Sequence, residues 1–134
     1  MRNLLVVILF ALAGCAAPTA VITAGGSQVE LRQMQTREYE TLDKRGTLRS
    51  VVATLQDLGF VIDKADYDLA TISATKLQKY AIRMTVTVRE RDGDRLAVRA
   101  NARFNEQPIE DPKSYQDFFA TLDKAMFLTL HEVD

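Results

Sequence analysis

From Tyr80 to Phe104 the chain alternates apolar and polar side chains, and that period of two leaves few folds open. Ile82, Met84, Val86 and Val88 share one parity, and Leu96, Val98, Ala100, Ala102 and Phe104 keep it after the interruption at Asp92-Gly93. Successive side chains of a strand point to opposite faces, so this is a pair of strands with one apolar and one polar face. An apolar sheet face has to be covered by another layer. Residues directly opposite each other share a face, so the loop must join even to even. A two-residue loop at Asp92-Gly93 breaks that parity. A three-residue loop Arg91-Asp92-Gly93, with Gly93 left-handed, restores it and predicts Val88 opposite Leu96, Val86 opposite Val98 and Thr85 opposite Arg99.

The covering layer is legible as two helices. Asp43 is a helix N-cap, Leu48, Val51, Val52, Leu55 and Leu58 recur at helical spacing, and Gly59 suits the left-handed position past a helix end, which predicts a helix from about Lys44 to Leu58. Asp111-Pro112 opens a second helix, because proline at the first helical position loses no hydrogen bond. Its apolar stripe of Tyr115, Phe118, Phe119, Leu122, Met126 and Leu130 runs to about Thr129 and carries three aromatics to plug the core. Gln33 to Leu42 alternates weakly and reads as a first strand. Phe60 to Ile62 and Thr71 to Ser73 are short β-prone runs either side of Asp63 to Asp68, whose three aspartates suit a turn. The order strand, helix, four strands, helix predicts an α+β fold, a two-layer sandwich with an antiparallel sheet of about five strands packed by two helices.

The start of the chain has a different character. Arg2 gives a positive start, Leu4 to Leu12 is an unbroken apolar run, and small residues follow at Ala13 and Gly14, the layout of a secretory signal. A membrane-spanning helix needs roughly 20 apolar residues, more than this run supplies. Leu12-Ala13-Gly14-Cys15 resembles the lipobox of bacterial lipoproteins. That resemblance implies cleavage between Gly14 and Cys15, a lipidated Cys15, and an anchor of several acyl chains, each buried CH₂ contributing ~0.8 kcal/mol. Ala16 is compatible, in that family, with sorting to the outer membrane of a Gram-negative bacterium. Cys15 is the one cysteine of the chain, so no intrachain disulfide competes for it. The resulting division is a signal peptide at 1–14, a lipidated cysteine and flexible tether at 15–32, and a single domain at 33–134. A dozen flexible residues let such a domain stand on the order of 20 Å from the lipid.

Two further stretches carry a fold resemblance. Leu55-Gln56-Asp57-Leu58-Gly59-Phe60 leading to Asp66 and Ile72-Ser73-Ala74 is one. Tyr115-Gln116-Asp117-Phe118-Phe119 with Lys124-Ala125-Met126-Phe127-Leu128 is the other. Together they resemble the helix-grip domains of the BamC family of outer-membrane assembly lipoproteins, across most of residues 36 to 130. The family carries two such domains, and this length has room for one. The resemblance implies a periplasm-facing envelope protein and brings no catalytic signature with it.

Composition narrows the function classes. Removal of the signal takes away Arg2 and leaves 16 basic against 18 acidic residues, so no global charge points to nucleic acid. His131, the single histidine, lies at the end of the second helix and is read as exposed or helix-capping, and lipidation consumes the thiol. No catalytic group, cofactor or metal is therefore expected. Asp63, Asp66 and Asp68 lack the spacing of a calcium loop, and Asp92-Gly93-Asp94 is equally explained as a turn. One pattern remains: Arg83, Arg89, Arg95, Arg99 and Arg103 all have the parity opposite to the core residues. They form either an ordinary solvated sheet face or a docking surface for an acidic protein, lipid headgroups or an anionic glycan. The leading expectation is a non-enzymatic envelope adaptor, binding through that face or the groove beside the long helix. The alternative is a carrier holding an apolar ligand between sheet and helix, lined by Met84, Phe118, Phe119 and Met126. Cys15→Ser should abolish acylation and release the protein from the membrane fraction, read by intact mass and by fractionation of the native host.

Overall fold

The computed structural model describes residues 28–78 and 80–131; the signal segment, Gly14, Cys15 and the tether up to residue 27 lie outside the described residues. The chain is an α+β two-layer sandwich. It has a short helix α1 (28–34), β1 (Thr36–Tyr39), α2 (Lys44–Asp57), β2 (Val61–Asp66), β3 (Thr71–Leu77), β4 (Ala81–Arg91), β5 (Arg95–Phe104), β6 (Gln107–Pro108) and α3 (Pro112–Leu130). The antiparallel sheet runs β1-β5-β4-β3-β2, with β6 on β5 as well. The sheet thus has six strands rather than about five, because the two-residue β6 has too little sequence to show a period.

Helices α2 and α3 lie on the even-numbered face of the central strands. Ile72, Ala74, Met84, Val86, Val88, Val98, Ala100 and Ala102 form one core with Leu48, Val51, Leu55, Tyr115, Phe118, Phe119, Leu122 and Met126. Tyr115, Phe118 and Phe119 of α3 are almost wholly buried, as their placement on one stripe requires, while Phe127 off the stripe is exposed. Both helix starts are capped as expected: Asp43 accepts from the Gly46 amide at 2.9 Å, and Asp111 from the Lys113 amide at 3.3 Å. Gly46 lets the first cap close, since a Cβ there would run into the Asp43 carboxylate. The helices are joined to each other by Ser50 Oγ and Thr129 Oγ1, 2.8 Å apart.

Three boundaries differ from the sequence reading. Residues 28–34 are helical, and Leu31 (8% exposed) joins the core with Met34 packed beside it. Residues 28–32, expected in the tether of 15–32, therefore belong with the domain expected from residue 33. A helix of about two turns that places two apolar side chains three apart is too short to show periodicity. β2 extends through Asp66, so Asp63 lies in the strand at a register shift between Ile62 and Lys64, and the turn is displaced to residues 67–70. Asp66 accepts from the Asp68 and Leu69 amides (3.1 and 2.9 Å), fixing that turn.

The third difference is the register of the central hairpin. Val88 opposes Val98, Val86 opposes Ala100 and Thr87 opposes Arg99, a slip of two residues from the expected pairing. Parity is kept, so every side chain stays on its predicted face. The loop is Asp92-Gly93-Asp94, with Asp92 and Gly93 both left-handed (φ 52° and 72°) and the Asp94 amide donating to the Arg91 carbonyl at 3.3 Å. Asp92 accepts the left-handed conformation at small cost, which allows pairing to continue to Arg91 and Arg95.

β1 is fastened to α3 by Asp123, which accepts from Tyr39 Oη at 2.8 Å and from Arg37 at 2.6 Å. Burial, reinforced by that carboxylate, pushes the Tyr39 phenol well above the usual tyrosine range. Beyond β1, the edge of β5 is finished by a side chain. Tyr115 Oη accepts from the Ala102 amide (3.3 Å) and from Gln35 Nε2 (3.1 Å), and donates to the Ile109 carbonyl (2.6 Å). Tyr115→Phe strands these groups in the interior and should cost roughly 2–3 kcal/mol, measured as a lower urea midpoint at unchanged m-value.

Candidate functional site

The face of the sheet turned away from the helices is polar across its centre. Its ranks, read across β4 and β5, are Arg83 opposite Arg103, Thr85 opposite Asn101, Thr87 opposite Arg99, Arg89 opposite Ala97, and Arg91 opposite Arg95. On the flanks, Thr75 and Ser73 of β3 lie beside Arg83 and Thr85, and Thr36 of β1 lies beside Arg99. A cleft of about 480 Å³ is lined by Arg83, Thr85, Thr87, Arg99, Asn101 and Arg103.

The five arginines singled out by parity all stand on this face, and the structure sorts them into two groups. Arg89 donates to the carbonyls of Leu69 and Val88 (3.2 and 3.3 Å), tying β4 to the β2–β3 turn. Arg95 bonds Glu38 and Asp94, both at 3.1 Å. That hydrogen bond holds the exposed Asp94 carboxyl below its usual range and raises the guanidinium. Arg83, Arg99 and Arg103 are exposed, line the cleft, and have no ion-pair partner among the described residues.

Sequence reasoning missed Arg91, which it placed in the loop, and Glu38, whose carboxylate lies 3.8 Å from Arg91 and 3.1 Å from Arg95. Asn101 carried the right parity and was findable. Glu38 was not, because nothing local announces that β1 pairs with β5. Two opposed arginine pairs therefore share one face: Arg91 and Arg95 with an acid between them, Arg83 and Arg103 without one.

Other concavities are less distinctive. A groove between α2 and α3 is lined by Ala53, Thr121, Ala125 and Leu128 among others. At the seam of helix and sheet, a cleft of about 160 Å³ is lined by Leu58, Phe60, Ile82, Met84, Ala102 and Ile109, with Lys76, Ser114 and Asp117 at its rim. Of the four residues expected to line a carrier pocket, only Met84 reaches it; Phe118, Phe119 and Met126 are consumed by the core. His131 caps α3, its ring nitrogen 2.8 Å from the Phe127 carbonyl and its ring stacked on Phe127. Among the described residues no three His, Cys, Asp or Glu side chains gather to hold a metal ion, and no helix is long and apolar enough to cross a membrane.

No family model matches the chain, and no curated protein matches it. If Glu38 neutralises the second arginine pair, Glu38→Gln should raise the salt concentration needed to elute the protein from a heparin column. The accompanying change in stability should stay below about 1 kcal/mol, because the ion pairs are exposed.

Proposed function

We propose that this protein is a lipoprotein anchored in the outer membrane through an acylated Cys15, facing the periplasm. Its domain is a non-enzymatic binding module that engages an anionic envelope component on the sheet face opposite the helices. The observation that carries this reading is the cleft lined by Arg83, Arg99 and Arg103, in which no acid among the described residues supplies a counter-charge. Elsewhere on the same face the protein neutralises or ties down its arginines with Glu38, Asp94 and the turn carbonyls. Leaving three guanidinium groups together is unfavourable for the isolated domain, and it becomes favourable once an anion arrives.

The lipobox-like start and the BamC-like pattern support the compartment. The quiet chemistry of the sequence, with its one terminal histidine and its one cysteine in the lipobox, supports binding over catalysis. An apolar carrier is the second reading, favoured by the seam cleft beside Met84. At about 160 Å³ it is smaller than the ~300–1,000 Å³ of ordinary ligand sites, so a carrier would have to part the layers. Charge reversal in Arg99→Glu/Arg103→Glu should abolish capture of the envelope component in pull-downs from the native host, with the fold intact by circular dichroism. Capture equal to wild type would refute the binding face.

A further inference from the structure

The two opposed arginine pairs pose a comparison that the protein makes on itself. Like charges directly across an antiparallel pair are destabilising. At Arg91 and Arg95 the chain corrects this with Glu38, delivered from the neighbouring strand. At Arg83 and Arg103 no such acid is supplied among the described residues; Thr75 flanks Arg83, and Pro108 of β6 flanks Arg103. Arg99 adds a third guanidinium on the same strand as Arg103, four residues away. At the rise of a strand that is roughly 13 Å, at the far end of the same cleft.

Resting on the binding reading above, we infer that this cleft takes a phosphorylated glycan: a disaccharide unit with a phosphate at each end, one held by Arg83 and Arg103 and the other by Arg99. Guanidinium groups present forked donors that match phosphate oxygens, which accounts for arginine at all three positions. Between them the floor consists of Thr85, Thr87 and Asn101, short side chains that both donate and accept and so suit sugar hydroxyls. The volume of about 480 Å³ exceeds what a lone phosphate fills and lies within the range of sites for small organic ligands. A protein partner fits less well, because interface hot spots set arginine beside Trp and Tyr in desolvated pockets, and no aromatic lines this cleft. The same absence removes the stacking platform that a nucleic-acid strand needs.

Isothermal titration calorimetry on the folded domain tests this with four probes: a disaccharide phosphorylated at both ends, the same disaccharide without phosphate, inorganic phosphate, and a hexaglutamate peptide. The bisphosphorylated sugar should bind most tightly, by about 10-fold or more over each of the others. Arg103→Thr should weaken it by about 10-fold or more while leaving the urea midpoint equal to or above wild type, because removal of one member of an uncompensated pair relieves repulsion. Arg103→Lys, which keeps the charge and loses the fork, should weaken it nearly as much. A lower midpoint for Arg103→Thr with unchanged affinity would make these arginines structural and overturn the inference. Tightest binding of hexaglutamate, tolerant of Arg103→Lys, would overturn the glycan while leaving the anion-binding module standing. Failure of all four probes, with the pull-down dependent on Arg99 and Arg103, would likewise overturn the glycan alone.

Discussion

Strand β5 changes partners halfway along, and the Tyr115 hydroxyl sits where the change occurs. β1 pairs the first half of its outer edge and β6 the last two residues, so backbone groups between them have no strand to bond. The Gln35 carbonyl takes the Ala100 amide at 2.8 Å, and Tyr115 takes the Ala102 amide. Because Tyr115 belongs to α3 and its hydroxyl also holds Gln35 and Ile109, one oxygen fixes sheet edge, both flanking loops and the core helix together. Buried polar groups satisfied in this way rigidify a structure, and half-satisfied ones are costly. β5, held at that point, carries two of the three cleft arginines, Arg99 and Arg103, on its other side.

The sheet therefore divides its work by face. On one side, apolar side chains and two helices supply stability; on the other, the side chains are released from packing duty. That release permits a cluster of like charges that a buried face would not tolerate. It also explains why Arg89 and Arg95, nearer the hairpin end, are tied to neighbours. Arg89 braces the β2–β3 turn, where Ala70 takes a left-handed φ of 54° while almost fully buried.

Much of this was legible in the sequence because parity and caps are local. The alternation of Tyr80 to Phe104 assigned each side chain to its correct face, and Asp43 and Asp111 marked their helix starts within a residue. Parity fixes a face but not a register, which is why the hairpin slipped by two residues while its faces stayed right. The choice between registers lay in the tolerance of Asp92 for a left-handed backbone, a preference too weak to read in advance. What depends on distant pairing was hidden: the meeting of Glu38 with Arg91 and Arg95, the docking of Leu31, and the pairing of β6. The separation of free from neutralised arginines could be seen only once β1 was placed beside β5.

The far edge of the sheet bears on how copies of this chain meet one another. β2 ends the sheet, with no strand on its outer side among the described residues, and the register shift at Asp63 interrupts its ladder midway, with Lys64 exposed beside it. A regular edge invites another chain to add on. The interrupted, charged border of β2 is a poor template for such pairing.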